Sequence, residues 1–225
     1  MTTDVVVHAH DVARTFGKGP AAIVAVHGVS CDVHAGQQIA LTGPSGSGKT
    51  TLLHLFAGLD APTTGTVEWP ALGSISDLRP GPVAVVFQSQ SLLPPLDVVE
   101  NVALPLLLQG ENRSAARSAA MAALERLGLD ALASKLPEEI SGGQAQRVAI
   151  ARVLAGRPRL ILADEPTGQL DQHNGALVVD ALVAAATELG AALIINTHDQ
   201  TVADRLPIRW SMARGRLTHK ALLSC

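Results

Sequence analysis

Eight residues at positions 43–50, which read GPSGSGKT, constrain the fold of this chain more than any other segment. The apolar residues Ile39-Ala40-Leu41 precede them and a helix-forming run follows at 49–57, so the sequence predicts a strand, a glycine-rich loop and a helix. Glycines let the backbone wrap around phosphates with its N–H groups pointing inward, and the helix N-terminus adds positive potential. We expect Lys49 to reach the β- and γ-phosphates of a nucleotide, and the Thr50 hydroxyl to bind Mg²⁺.

A second motif, LILADE at 160–165, is an apolar strand that ends in two carboxylates. An aspartate at the carboxyl end of a strand can hold the Mg²⁺ of a phosphate-loop site, which predicts this role for Asp164. The neighbouring Glu165 could polarise an attacking water molecule. Many buried strands end in an acidic residue, so the motif alone is weak, but it becomes specific in a chain that already carries the loop at 43–50.

The tetrapeptide Ser141-Gly142-Gly143-Gln144 opens a predicted helix at 144–154. Ser141 is a typical N-cap, and the paired glycines expose backbone N–H groups beside the helix N-terminus. Taken alone, the tetrapeptide would be read as a simple capped helix. Beside a phosphate loop and an acidic strand, it predicts a second anion site in the same chain.

The order of elements predicts an α/β fold with a largely parallel sheet and helices on its faces. Short strands are expected at 5–8, 23–26, around 33, 38–41, 66–69 and 83–87, and a Pro- and Gly-rich stretch fills 70–82. Helices are expected at 98–109, 114–127 and 144–154. Strands at 160–163 and 191–196 then alternate with helices at 175–189 and 200–206, before a terminal hairpin around Gly215.

Composition excludes several classes of protein. The 225 residues are 47% hydrophobic and 16% charged, which excludes global disorder, and a net charge of −3 argues against a dedicated nucleic-acid binder. No apolar run reaches the roughly 18 residues of a membrane-spanning helix. The N-terminal residues predict no signal peptide. The cysteines, Cys31 and Cys225, make no disulfide framework, which predicts a reducing setting.

Together these motifs resemble the ATP-binding subunit of an ABC transporter, over essentially the whole chain. The resemblance implies a single domain at 1–225 with the P-loop NTPase fold of ABC ATPases. A RecA-like core is expected at about 1–88 and 157–225, with an N-terminal antiparallel β region. A helical signature subdomain is expected at about 89–156. The implied activity is hydrolysis of ATP to ADP and phosphate, with Mg²⁺ as the second cofactor.

The resemblance also assigns residues. Glu165 resembles the catalytic base, His198 the switch histidine and Gln88 the Q-loop glutamine, which the family uses in catalysis and at the metal. The implied Mg²⁺ ligands are Thr50, Gln88 and Asp164. Phe16 stands where the family places an aromatic residue, usually tyrosine, against adenine, and Ile140 stands where the signature motif usually has leucine. The implied nucleotide-binding residues are Phe16, Gly43, Pro44, Ser45, Gly46, Ser47, Gly48, Lys49, Thr50, Thr51, Ser141, Gly142, Gly143, Gln144 and the D-loop Asp171.

The implied function is to power a separate transmembrane permease from the cytoplasmic face of the inner or plasma membrane, as a peripheral subunit. A second ATP-binding subunit, the same chain or a different one, would complete each ATP site, and no nucleic acid is expected as a partner. Segments such as Glu100-Asn101-Val102 resemble the lipoprotein-release and macrolide-export type, whereas the short stretch at 65–88 approaches nitrate and sulfonate importers. The direction of transport and the substrate therefore stay open.

Two alternatives remain at this point. The same ATPase could serve a membrane-linked signalling or cell-division complex that moves no solute. A soluble ABC ATPase acting on DNA or the ribosome would carry a long coiled-coil insertion or two tandem cassettes, and this chain has neither feature.

Overall fold

The computed structural model describes residues 4–88 and 91–220. In these ranges the strands are β1 (Val5–Phe16), β2 (Ile23–His34), β3 (Gln38–Thr42), β4 (Thr64–Glu68), β5 (Val83–Val86), β6 (Leu160–Asp164), β7 (Ala192–Asn196), β8 (Ile208–Ala213) and β9 (Arg216–Lys220). The α-helices are α1 (Lys49–Phe56), α2 (Val98–Leu108), α3 (Arg113–Arg126), α4 (Gly142–Gly156), α5 (Gln172–Leu189) and α6 (Gln200–Ala203). Short 3₁₀ turns lie at Gly19–Ala21, Ile75–Asp77, Asp130–Leu132 and Pro137–Glu139.

The strands form two sheets. A three-stranded antiparallel sheet has the order β2-β1-β4, and a six-stranded sheet has the order β5-β6-β7-β3-β8-β9. Strands β5, β6, β7, β3 and β8 run parallel to one another, and β9 pairs antiparallel with β8 in the predicted terminal hairpin. The α/β class predicted from the sequence, with its N-terminal antiparallel region, is confirmed.

Both faces of the six-stranded sheet are covered, which explains its unbroken apolar strands. In β6, Leu160 and Leu162 pack with α1 and the antiparallel sheet, whereas Ile161 and Ala163 pack on the opposite face with α4, α5 and α6. A further apolar cluster joins α2, α3 and α4, with Val102, Leu124 and Val148 among its buried members. This cluster is largely separate from the two that sandwich the sheet.

Three expectations about elements need correction. Strands β1 and β2 each span 12 residues, longer than the short strands expected there, and the segments at 23–26 and around 33 belong to one strand. Register shifts along β1 break the strict alternation of buried and exposed residues, so the period-two pattern is weak in the sequence. Helix α6 ends at Ala203 instead of 206, because Pro207 disfavours helical geometry in the residue before it.

Two further expectations can be set beside the structure. Cys31 is a free cysteine and is buried, and Cys225 lies outside the described residues. Within 4–88 and 91–220, none of the helices combines the length and the apolar character that a membrane span requires.

Candidate nucleotide site

The loop at 43–50, called the phosphate loop below, connects β3 to α1. At two of its glycines the backbone of another strand lies too close for any side chain. A Cβ atom on Gly43 would lie 2.1 Å from the carbonyl oxygen of Met212, and one on Gly48 would lie 2.0 Å from that of Ala25. Both glycines also have positive φ angles, +145° and +99°. Any side chain at either position would therefore collide with a neighbouring strand and strain the loop.

The Lys49 side chain is only 6% exposed and folds back over the phosphate loop. Its Nζ atom donates to the carbonyl oxygens of Gly43, at 2.8 Å, and Pro44, at 3.1 Å. Ser47 Oγ is buried and has no hydrogen-bond partner in the described part of the chain. A cavity of about 230 Å³ lies along the loop and is lined by Ala25, Gly46, Ser47, Gly48, Lys49, Thr50 and Thr51. A buried ammonium group and an unpaired hydroxyl beside a cavity suit a phosphate group.

The structure brings the two oxygen ligands predicted for Mg²⁺ together. Thr50 Oγ1 lies 3.1 Å from Asp164 Oδ1, although the two residues are far apart in the sequence. One hydroxyl and one carboxylate suit Mg²⁺, which usually binds few protein oxygens and keeps several water molecules. The donor set therefore fits this ion.

Asn196 completes this cluster and is a residue that the sequence analysis missed. Its Nδ2 atom donates to Asp164 Oδ1 and lies 3.5 Å from Thr50 Oγ1. Strands β6 and β7 are parallel neighbours, and Asp164 pairs with Asn196 in register, so both side chains come to the same edge of the sheet. The available signal was an amide at the end of an otherwise apolar strand.

The predicted base Glu165 and the predicted switch residue His198 are in contact. His198 Nδ1 lies 2.8 Å from Glu165 Oε2. The Glu165 side chain is 15% exposed and that of His198 is 69% exposed. Glu165 has a φ angle of +46°, a left-handed conformation that is strained for a residue other than glycine. Strain of this kind is often found at functional sites.

Gln88 lies beside the segment that follows Glu165. Its Nε2 atom would be 3.1 Å from a Cβ atom on Gly168. A small cavity of about 160 Å³ is lined by Gln88, Gly142, Gln146, Pro166, Gln169 and Leu170. Gln88 thus lies beside the α4 N-terminus and the turn after β6. Thr50 and Asp164 are bonded to each other and to Asn196.

Residues 141–144, called the signature segment below, form the start of α4 as predicted. Ser141 Oγ accepts from the Gln144 backbone N–H at 3.3 Å, and Gln144 Oε1 accepts from the Ser141 N–H at 2.8 Å. This reciprocal capping box fixes the first turn of the helix. The lining of the phosphate-loop cavity includes no residue of the signature segment, so this fold does not join the two predicted anion sites within that cavity.

Helix α4 also holds the chain on both sides of Gln88. Gln146 Nε2 donates to the Phe87 carbonyl oxygen at 3.2 Å, and Arg152 Nη1 donates to the Ser91 carbonyl oxygen at 3.1 Å. Burial lowers the pKa of the Arg152 guanidinium. The helix that begins with the signature segment is thus bonded directly to the Q-loop region.

Asp171 is the N-cap of α5. Its Oδ1 accepts from the Asn174 backbone N–H at 2.9 Å, and its Oδ2 accepts from Asn174 Nδ2 at 2.6 Å. These bonds, the backbone one first, hold the pKa of the Asp171 carboxyl below its usual range. Both carboxylate oxygens are thus bonded within the chain, and contact of this side chain with nucleotide stays a prediction.

Phe16 ends β1 and is 43% exposed. The Arg14 guanidinium lies over its ring, with Cζ 4.6 Å from the ring centroid. Asp60 holds this guanidinium with two contacts of 2.8 Å, to Nε and Nη2. Phe16 pairs with Ile23 in β2, the strand whose Ala25 touches the phosphate loop. The ring therefore stands at the end of the hairpin that borders the loop.

Comparison with known proteins gives the family. The sequence profile described as ABC transporter matches residues 26–168. The chain is also 41% identical over 214 residues to the lipoprotein-releasing system ATP-binding protein LolD of Shewanella denitrificans, with 92% of each chain covered. The chain belongs to the ABC transporter family. It is an ATP-binding cassette and an ATPase that powers a separate permease, as the sequence predicted.

Two further similarities agree with this conclusion. The cassette is 40% identical over 228 residues to the uncharacterized ABC transporter ATP-binding protein YbbA of Escherichia coli, covering 98% of this chain and all of that one. The fold matches the ATP-binding cassette MJ0796, a dimer in a post-hydrolysis state bound to ADP and Pi, with a TM-score of 0.84 and 33% identity. That match covers 95% of this chain and 98% of the other.

Proposed function

We propose that this cassette drives a membrane permease of the lipoprotein-releasing type, as a peripheral subunit at the cytoplasmic face of the inner membrane. The similarity to LolD proteins supports the lipoprotein-releasing assignment. The proposal that the cassette docks on a membrane subunit rests on a groove beside the Q-loop, because this groove offers an apolar surface for a partner.

The groove lies between strand β5 and helix α2 and has a volume of about 480 Å³. Its apolar lining includes Leu59, Val85, Phe87, Leu104 and Leu108. Leu108 is 64% exposed and Leu59 is 44% exposed, so large apolar side chains border an open cleft. Such a surface marks an interaction site, and its form suits an amphipathic helix that lays its apolar face into a groove. We assign it to a short cytoplasmic helix of the permease.

The loop after the Q-loop reaches the groove at Ser91, which is part of its lining. As expected from its two prolines, the described residues 91–97 form no helix. Of the three leucines on this loop, Leu92 is buried, Leu96 is half-buried and Leu93 is 43% exposed. The buried Asn101 side chain fixes the loop, because its Oδ1 accepts from the Leu93 N–H at 2.7 Å and its Nδ2 donates to the Leu96 carbonyl oxygen at 2.9 Å. Leu93 is thus presented by a rigid loop.

The ATP site is proposed to form between two cassettes, with the phosphate loop of one facing the signature segment of the other. The separation of these elements within one chain supports this arrangement. Thr50 and Asp164 would hold Mg²⁺, with Gln88 joining them as the resemblance implies. Mg²⁺ would supply positive charge against the phosphate oxygens. Glu165 would accept a proton from the attacking water, and His198 would orient Glu165 through their shared hydrogen bond.

The division into a core at about 1–88 and 157–225 and a helical subdomain at about 89–156 is part of the same proposal. The separate apolar cluster of α2, α3 and α4 supports it. The groove lies on the boundary between these two parts, since β5 belongs to the first and α2 to the second.

A charge placed in the groove tests the proposal. Leu108→Glu and Leu93→Glu should fold and bind ATP, yet lose co-purification with a co-expressed permease of the lipoprotein-releasing type. The matched control is Leu177→Glu, because Leu177 is 40% exposed on α5 and does not line the groove. Unchanged co-purification of Leu108→Glu would refute docking in the groove, and unchanged co-purification of Leu93→Glu would exclude the loop from the interface.

A transport assay separates the permease from the signalling alternative. Proteoliposomes that contain the complex and a fluorescent lipoprotein should release it to a soluble acceptor only with ATP. ATP hydrolysis without release would instead favour a complex that moves no such substrate.

A further inference from the structure

Asn196 is a buried polar residue at the end of an apolar strand. The four residues before it in β7, Ala192, Leu193, Ile194 and Ile195, are fully buried and apolar, and Asn196 itself is only 1% exposed. Burying an amide costs free energy unless its polar atoms are hydrogen-bonded. The polar atoms of this side chain therefore need partners in the site it faces.

Those partners are the residues proposed to hold the metal and the water. The Asn196 amide N–H group donates to Asp164 Oδ1, and the same Nδ2 atom lies 3.5 Å from Thr50 Oγ1. The backbone carbonyl oxygen of Asn196 also accepts a hydrogen bond from the Glu165 backbone N–H at 3.0 Å. One residue thus contacts two of the three proposed Mg²⁺ ligands, Thr50 and Asp164, and fixes the backbone of the proposed base.

The orientation of the amide is set by chemistry. A carboxylate only accepts hydrogen bonds, so the amide must turn its N–H₂ group towards Asp164, because the opposite orientation would place two acceptors against each other. The amide oxygen then points elsewhere. It is buried and has no hydrogen-bond partner among the described residues. A buried acceptor left unpaired costs free energy, so this oxygen is suited to a donor that arrives with the ligand.

We infer that Asn196 is a positioning residue of the Mg²⁺ site: its amide N–H₂ orients the Asp164 carboxylate, and its amide oxygen accepts a hydrogen bond from a water molecule bound to the metal. The inference rests on the metal site proposed above. Mg²⁺ usually retains several water molecules, and groups that orient a metal ligand commonly change metal affinity by about 10–100-fold.

The test compares ATP affinity with and without the metal. Titrations of fluorescent ATP into Glu165→Gln protein, in excess Mg²⁺ and in EDTA, give two dissociation constants, and the value in EDTA divided by the value in Mg²⁺ measures how much the metal strengthens binding. Adding Asn196→Leu, which has nearly the shape of asparagine, should reduce this ratio about 10-fold or more while leaving affinity in EDTA unchanged. Asn196→Val removes the same amide with a different shape and should give the same result.

Ile195→Val is the matched control, since it trims an apolar neighbour in the same strand and should leave the ratio unchanged. An unchanged ratio in both Asn196 variants would overturn the inference. Equal loss of affinity in Mg²⁺ and in EDTA would also overturn it, because that result indicates a purely structural role. If the parent protein itself showed no effect of Mg²⁺, the metal site would fail, and the inference with it.

Discussion

His198 Nδ1 lies 2.8 Å from Glu165 Oε2, so a hydrogen bond joins two side chains that follow neighbouring parallel strands. Glu165 is the more buried member of this pair, with 15% of its side chain exposed against 69% for His198. A carboxylate held by an imidazole can accept a proton while its position stays fixed. The proposed base and the residue proposed to orient it are thus different side chains, and mutation can distinguish the two roles.

Replacing Glu165 with glutamine should preserve ATP binding and abolish most hydrolysis. The amide keeps the size of the side chain but cannot accept a proton from water, so we expect turnover to fall roughly 10²-fold or more. Phosphate release and equilibrium ATP binding measure the two effects separately. His198→Ala should lower turnover while leaving Glu165 able to act as a base. Near-normal hydrolysis in Glu165→Gln together with an inactive His198→Ala protein would transfer the role to the histidine.

Replacing Lys49 with alanine should weaken both nucleotide affinity and turnover. The variant removes a buried positive charge and also leaves the carbonyl oxygens of Gly43 and Pro44 without their donor. We expect ATP binding to weaken by about 2–4 kcal/mol, as measured by calorimetry. His54→Ala, further along α1 and outside the lining of the phosphate-loop cavity, is a control for general damage to the helix. Unchanged ATP affinity in Lys49→Ala would contradict the assignment of the phosphate loop.

The elements that were predictable from the sequence are those with local patterns. The phosphate loop, the apolar strand before Asp164 and the capped helix at Ser141 are each specified within a few consecutive residues. Whether each segment is a loop, a strand or a helix is set by nearby residues, because glycine, capping and apolar signals act over short distances. How closely these segments pack together depends on the whole fold.

The remaining features depend on contacts between distant segments. Asn196 meets Asp164 only because β6 and β7 are neighbours in the sheet. Arg14 reaches Asp60 only after β1 has been placed beside the turn that follows α1. Sequence patterns report periodicity along one strand, and they carry little information on which strand or loop lies alongside.

Dimerisation of the cassette should require ATP. In the proposed arrangement a complete ATP site needs the signature segment of a second cassette, and MJ0796, a related cassette, is dimeric in its solved structure. We expect Glu165→Gln protein to be monomeric without nucleotide and dimeric with ATP and Mg²⁺, as measured by light scattering. Adding Ser141→Arg, which places a bulky cation at the α4 N-terminus, should prevent the dimer without changing the monomer. A monomer under all conditions would favour pairing with a different cassette.

Arg14 should strengthen binding of the adenine ring of ATP without contacting the phosphates. Its guanidinium covers one face of the Phe16 ring, and Asp60 fixes the guanidinium through two contacts of 2.8 Å. A cation over an aromatic ring contributes about 0.5–2 kcal/mol, so Arg14 would hold the ring in place and leave its other face to stack on adenine. In Arg14→Met, which keeps an apolar stem, we expect the KM for ATP to rise about fivefold with little change in kcat.

Inhibition by tripolyphosphate, which carries the charges of ATP but no base, should be the same in Arg14→Met and in the parent protein. Phe16→Leu should raise the KM for ATP at least as much, because it removes the ring itself. Arg14→Lys should rescue only part of the effect, since lysine keeps the charge but cannot form the planar, two-contact pair with Asp60. If tripolyphosphate inhibition weakened together with ATP binding, Arg14 would act on the phosphate loop, and the stacking role of Phe16 would lose its support.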